Sequence, residues 1–298
     1  MPSSAPPVFR FAPSPNGALH LGHAYSALVN QQICAAIDGT CLLRLEDIDQ
    51  TRCTPELAQQ MLDDLTWLGI DWHGEPRRQS EHFADYRRAL QKLRADGLIY
   101  PAFMSRGDIR RMLAQEVDAS PDENWPRDPD GSPHYPGDER NWSLDQQQAM
   151  LSKNQKHSWR LNMAAALQLV PDQLYWREFE ESDPAQSRNI PAKPELWGDV
   201  VLARSDTPTS YHLAVTVDDA LQEVTHVVRG RDLYHATSVH RLLQVLLDLP
   251  APRYHHHDLV IGPDGRKLSK SNGDVSLRAL RRNGVDPANI AQHFTFAA

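Results

Sequence analysis

Short apolar runs alternate with helix-periodic segments through the first hundred residues, and no other feature narrows the fold as much. Residues 8–12 read as a strand that Pro13 and Pro15 end. Between residues 20 and 37, Leu21, Ala24, Leu28, Ile33 and Ala36 recur at helical spacing, and Asp38-Gly39 closes that helix. Thr40–Leu45 reads as a second strand, with Glu46 just past its end. Helices are expected over 55–68 and 80–96. This βαβα order predicts an α/β chain with a parallel, doubly wound sheet of Rossmann type.

Residues 101–195 break the pattern. Proline and polar residues crowd 120–136, and strand-like runs follow at 158–163 and 174–179. We read an inserted α+β subdomain at 101–195, which divides the catalytic domain into 1–100 and 196–298. In the second half, strands are expected at 200–203, 210–217, 224–228 and 258–261, with an amphipathic helix over 237–248.

Composition excludes several classes. Hydrophobic residues are 40% of the 298 and charged residues 23%, an ordinary globular balance. No run approaches the ~18 apolar residues of a membrane span. The N-terminus has no basic start or apolar core of a signal peptide, so a cytoplasmic protein is expected. A net charge of -8 argues against a general nucleic-acid coating protein but allows a local basic surface. Residues 101–195 hold 11 Lys and Arg against 16 Asp and Glu, whereas 253–282 hold 7 against 3, the better candidate for phosphate contact. The run His255-His256-His257 is expected to be structural or surface, because neighbours in extended chain point alternately. The three cysteines, Cys34, Cys41 and Cys53, form no paired motif and fit a reducing compartment as incidental thiols.

Three groups of residues carry chemistry. The first is the segment from Pro13 to His23, at a strand-to-helix junction. A helix N-terminus there offers unpaired N–H groups and a positive dipole end to phosphate. Gly22 allows close approach, and His20 and His23 share one face of the first turn. Alone, such a histidine pair is more often a surface or capping pair; its place after the strand and Pro-x-Pro-x-Gly argues for function. The second is Lys267-Leu268-Ser269-Lys270-Ser271, a cationic segment able to close on a polyphosphate. Alone, it is an ordinary solvated loop. The third is Arg10 and Glu46 at C-terminal strand ends, where open α/β sheets bind ligands, with Tyr211 and Arg229 at or beside later strands. One cation and one anion suit the two charged ends of an amino acid, although each could equally form a plain salt bridge.

Together these segments resemble a known family. His20-Leu21-Gly22-His23 resembles the HIGH signature, and residues 267–271 the KMSKS signature, of class I aminoacyl-tRNA synthetases. Residues 10–17, 43–49, 211–219 and 228–230 resemble glutamyl-tRNA synthetases. Only a short stretch follows Ser271, without room for a helical anticodon-binding domain, and Ala214 is followed by Val215 where full-length members carry Asn. The chain is thus similar to the truncated paralogs that glutamylate queuosine. That resemblance implies activation of L-glutamate with ATP and Mg²⁺, then transfer to the queuosine of a tRNA(Asp) anticodon stem-loop, by a monomer. It implies that Arg10, Phe11, Ala12, Pro13, Ser14, Glu46, Tyr211 and Arg229 hold glutamate. It also implies that His20, Gly22, His23, Lys267, Ser269 and Lys270 hold ATP, with His20, His23, Lys267 and Lys270 catalytic. Many members carry a structural zinc, but Ala102, Met104 and Glu139 stand at its cysteine positions, so none is expected here. Packing of Phe103, Met104, Trp125 and Trp142 is expected in its place. Three alternatives stay open: a truncated synthetase charging an acceptor end, an idle tRNA-binding paralog, and a small-molecule adenylate-forming ligase.

Overall fold

The computed structural model describes residues 5–119, 125–261 and 275–294. Its strands are β1 (Val8–Phe11), β2 (Thr40–Leu45), β3 (Arg77–Arg78), β4 (Ile99–Ala102), β5 (Ser158–Leu161), β6 (Tyr175–Glu180), β7 (Asp183–Pro191), β8 (Val201–Arg204), β9 (His226–Gly230) and β10 (Arg253–His257). Its helices are α1 (Leu21–Ala36), α2 (Pro55–Trp67), α3 (Phe83–Ala95), α4 (Arg106–Ala119), α5 (Leu144–Leu151), α6 (Met163–Leu167), α7 (Tyr211–Leu221), α8 (Ala236–Leu246), α9 (Leu277–Arg282) and α10 (Pro287–His293). The large sheet runs β3-β2-β1-β9-β10-β6-β7, parallel except for the β6–β7 hairpin at one edge. A small antiparallel sheet runs β4-β5-β8.

The expected doubly wound α/β class is the one observed. Helices cover both faces because strands buried on both sides must alternate two kinds of contact. Phe9, Phe11, Leu43 and Leu45 point to the face packed by α1 and α2. The residues between them, Arg10 and Arg44, point to the opposite face and reach Asp219 on α7. The apolar part of that opposite side is built from α3, α7 and α8, through Tyr86, Leu93, Leu213, Val217, Val239 and Leu243.

Several sequence expectations change. Residues 210–217, read as a strand, form the start of α7. Leu213 through Asp219 are all buried, so the helix has no polar stripe to reveal its period, and Val215, Thr216 and Val217 imitate a strand. Ser210 caps it, its hydroxyl accepting the Leu213 N–H at 3.5 Å. The strand expected at 258–261 lies earlier: β10 ends at His257, and Leu259 and Val260 instead border a cleft. The strands also cross the expected domain boundaries. β6 and β7 extend the large sheet, with Tyr254 of β10 opposite Glu178 of β6, while β8 completes the small sheet. Among the described residues, no helix is long and apolar enough to cross a membrane.

Candidate active site

A cleft of about 620 Å³ opens at the C-terminal ends of β1, β2 and β9. Arg10, Phe11, Ala12, Pro13, Ser14, His20, Gly22, His23, Glu46, Tyr211 and Arg229 all border it, so the sequence candidates within the described residues converge on one site. Lys267, Ser269 and Lys270 lie outside the described residues. The chain on both sides of that segment reaches the same place: Leu259 and Val260 border the cleft, and Ser276 forms an antiparallel bridge with His20.

At one lip, α1 begins with a reciprocal cap. The Gly22 N–H donates to His20 Nδ1 at 3.1 Å, and the His20 N–H donates to His23 Nδ1 at 3.2 Å. The two rings sit 3.9 Å apart between centroids. Because Nδ1 accepts in both, the neutral rings carry their proton on Nε2 and are donors there. A Cβ on Gly22 would lie 3.0 Å from the His20 ring, so a side chain there would require the imidazole to shift by a few tenths of an ångström. The first turn of α1 contains no acidic residue to oppose an anion.

The floor is a row of buried polar side chains on the α7 and α8 face of the sheet. Arg44 is fully buried. Its Nη2 donates to Asp219 at 2.8 Å, its Nη1 to Gln222 at 2.9 Å, and Asp218 and Glu46 lie 3.8 and 3.6 Å away. Burial works against its charge, and Asp219, Asp218 and Glu46 outweigh that, holding its pKa above the ordinary value. Arg10 donates through Nε to the same Asp219 oxygen at 3.1 Å, and no described residue engages its terminal nitrogens. Asn30 fixes the end of β1 by donating to the Arg10 carbonyl at 2.8 Å. Glu46 is placed by its backbone N–H on the Pro13 carbonyl, at 3.0 Å. Burial pushes Glu46 up to about 7, against the pull of Arg44 and Arg10.

Arg229 on β9 is held differently. Its Nε donates to His256 Nε2 at 3.2 Å, Nη1 to His240 Nδ1 at 3.2 Å and the Tyr211 hydroxyl at 3.4 Å, and Nη2 to the Thr237 hydroxyl at 2.6 Å. Among the described residues no carboxylate pairs with it. Asp218, Asp219, Thr237, His240, His256 and Glu178 are site-supporting residues that sequence reasoning missed. The histidine run was noticed, and its alternation holds: His256 faces Arg229, whereas His257 bonds Ser26 of α1 at 3.0 Å. A signal for the acids was the Asp218-Asp219 pair inside an otherwise apolar run.

In the inserted region, the positions of Ala102, Met104 and Glu139 do come together. The Tyr135 hydroxyl donates to Glu139 at 2.7 Å, the Phe103 N–H to the same oxygen at 3.2 Å, and the Met104 N–H to the Tyr135 oxygen at 3.2 Å. One carboxylate and one phenol do not fit a tetrahedral thiolate zinc site. Phe103 stacks on Trp142 at 5.9 Å and Met104 packs by Tyr100 and Tyr135. Trp125 donates through its indole N–H to the His134 carbonyl at 2.9 Å.

Residues 8–296 match the family model described as tRNA synthetases class I (E and Q), catalytic domain. A glutamyl-Q tRNA(Asp) synthetase of Rhodobacter capsulatus is 42% identical, over 95% of this chain and 98% of that protein. One of Symbiobacterium thermophilum is 36% identical, over 96% of this chain and 85% of that protein. A crystal structure of a glutamate tRNA ligase from Elizabethkingia meningosepticum in complex with its amino acid superposes with a TM-score of 0.70 at 26% identity, over 90% of this chain. The chain spans about half of that ligase, 52%. The chain therefore belongs to the class I tRNA synthetases of the E and Q branch, a family of ligases, and carries their catalytic domain.

Proposed function

We propose that this protein activates L-glutamate with ATP and transfers it to queuosine in the anticodon stem-loop of tRNA(Asp). The observation that carries the reading is one cleft that joins two buried guanidiniums, a carboxylate and a phosphate-accepting helix N-terminus. Glutamate offers two carboxylates and an ammonium. Glu46 takes the ammonium. Arg229 and Arg10 take the side-chain carboxylate, which is the basis for rejecting glutamine: a neutral amide leaves a buried guanidinium without its anion. Ala12 and Ser14 line the route between them, while the Phe11 and Pro13 side chains are buried and shape the end of β1. The lipophilic character of Phe11 makes its contribution one of backbone placement.

ATP, brought with its magnesium as substrate, lies with its phosphates at the start of α1. His20 and His23 donate Nε2–H groups to phosphate oxygens as negative charge grows on them. The substrate's α-carboxylate oxygen attacks the α-phosphorus, the bond to the bridging oxygen breaks, and pyrophosphate leaves. No protein nucleophile is needed. Lys267, Ser269 and Lys270 are proposed to close over the leaving group, and Lys270 to be the costliest single loss among them. Queuosine then attacks the mixed anhydride through a hydroxyl and AMP departs.

For the RNA, the basic stretch 253–282 is one proposed contact, with Arg278 and Arg281 placed on α9. A second cleft, of about 1070 Å³, is lined by His212 and carries Arg106, Arg110, Lys156 and Arg204, although residues 101–195 are acidic overall. The deciding experiment is transfer of labelled glutamate to tRNA(Asp) with and without queuosine. Queuosine-dependent labelling is expected. Equal labelling of unmodified tRNA(Glu) would move the function to acceptor-end charging, and absence of glutamate-dependent pyrophosphate exchange, with and without tRNA, would mark an idle paralog.

A further inference from the structure

We propose that His256 and His240 are positioning residues that hold Arg229 as an uncompensated cation, and that Glu178 fixes the tautomer in which His256 does so. The inference rests on reading Arg229 as a clamp for a ligand carboxylate, and it explains how a buried arginine keeps charge available for that ligand. Every nitrogen of the guanidinium is oriented, yet its acceptors are two imidazoles and two hydroxyls. An imidazole nitrogen that accepts from arginine must carry a lone pair, so both rings are neutral with defined tautomers. His240 accepts at Nδ1 and therefore donates from Nε2 to His212 Nδ1, 3.2 Å away. His256 accepts at Nε2 and therefore donates from Nδ1 to Glu178, whose oxygens lie 2.9 and 3.0 Å away.

Glu178 is itself tied down. It accepts the backbone N–H of His256 at 3.0 Å and the indole N–H of Trp176 at 2.8 Å. These bonds leave an imidazole between the carboxylate and Arg229, so orientation passes through His256 while the ion pair is never made. Burial, reinforced by Arg229, pulls His212 and His256 down to about 4 and His240 well below the ordinary histidine value. A ligand carboxylate thus meets a fixed cation, with one Nη2–H not given to these acceptors, rather than one already matched by a protein anion.

Two measurements test this on the full chain. Imidazole-nitrogen NMR of the substrate-free protein near neutral pH, with His256→Gln to assign the signal, is expected to find His256 neutral and protonated at Nδ1 and His240 neutral and protonated at Nε2. A doubly protonated His256, or the opposite tautomer, overturns the inference whatever the enzyme's substrate proves to be. Glutamate-dependent pyrophosphate exchange is the second measurement. His256→Leu removes the acceptor and is expected to raise KM for glutamate by roughly 10- to 100-fold, with kcat and the KM for ATP within about threefold of the parent. His256→Gln, which offers a carbonyl oxygen, is expected to recover most of that loss, and Glu178→Gln to raise the same KM by about threefold. An unchanged glutamate KM in folded His256→Leu and Glu178→Gln, together with a fallen kcat, would assign these residues a merely structural role. Should the parent show no exchange with glutamate, the functional reading fails, and the spectra still decide the tautomers.

Discussion

Arg44 and Arg229 lie on the same face of the same sheet, with one strand between them in the order β2-β1-β9, and both are buried, at 0% and 5% exposure. Their surroundings are opposite. Asp218, Asp219 and Glu46 crowd around Arg44 within 4 Å, and Asp218 is also held by Arg77, Gln79 and Tyr86 at 2.8, 2.9 and 2.8 Å. That cluster joins β2, β3, α3 and α7, so it ties the first half of the chain to the second. Arg229 has only neutral acceptors. A guanidinium matched by carboxylates has its charge spent inside the protein and is a structural strut. One that is oriented but unmatched retains its attraction for a ligand anion. Arg10 stands between them, sharing one Asp219 oxygen with Arg44 while it also borders the cleft.

The largest effect should come from breaking the strut. Arg44→Met leaves buried Asp219 with Arg10 alone and takes one of the two nearby guanidiniums from Asp218, and removal of one partner from such a cluster costs about 3–5 kcal/mol. Denaturant unfolding should register that loss, and Asp219→Asn added to Arg44→Met should restore part of it by removing the stranded charge. If Arg44→Met unfolded like the parent, the division between strut and clamp would be wrong. Arg229→Met should behave in reverse. Its neutral neighbours lose hydrogen bonds but strand no charge, so stability should fall by about 1–2 kcal/mol. Steady-state kinetics should instead register a drop of about 10²- to 10³-fold in kcat/KM for glutamate, the scale of losing a buried charge-assisted contact. Comparable losses of stability in the two variants would erase the contrast.

Half of this arrangement was legible in the sequence. Phe9-Arg10-Phe11 and Leu43-Arg44-Leu45 alternate strictly, so each arginine must point away from the apolar face, and the strand-end rule then places Arg10 and Glu46 at a ligand crevice. The capped turn from Pro13 to His23 was also legible, because strand, Pro-x-Pro-x-Gly and helix period leave few alternatives. The partners were not. Asp218 and Asp219 sit on a helix buried on every side, and a fully buried helix lacks the amphipathic period that identifies one. His256 and Glu178 meet only because β6, expected in the inserted subdomain, pairs in parallel with β10, a pairing between segments 78 residues apart that local pattern does not encode. Sequence therefore identified residues that border the cleft and missed those that decide how much charge each one keeps.

The smallest predicted effect concerns Glu46, which belongs to both halves of the comparison: it lies 3.6 Å from Arg44 and also borders the cleft. Arg44 and Arg10 pull its proton off, Asp219 and Asp218 hold it on, and burial dominates, setting its value at about 7 in the free protein. Only the ionised form can receive an ammonium. As pH falls through 7 the carboxylate gains a proton, the site loses its anion, and glutamate must displace that proton to bind. KM for glutamate should therefore rise by about tenfold on going from one pH unit above that value to one below, as for any ligand that requires the deprotonated form. The buried histidines around Arg229 contribute nothing in this window, since burial and the Arg229 charge hold His212 and His256 at about 4 and His240 well below the ordinary histidine value. Glu46→Gln should bind glutamate weakly at every pH and flatten the profile. A parent KM independent of pH through neutrality would mean that Arg44 holds Glu46 ionised despite its burial, and the boundary between strut and clamp would then lie on the cleft side of Glu46.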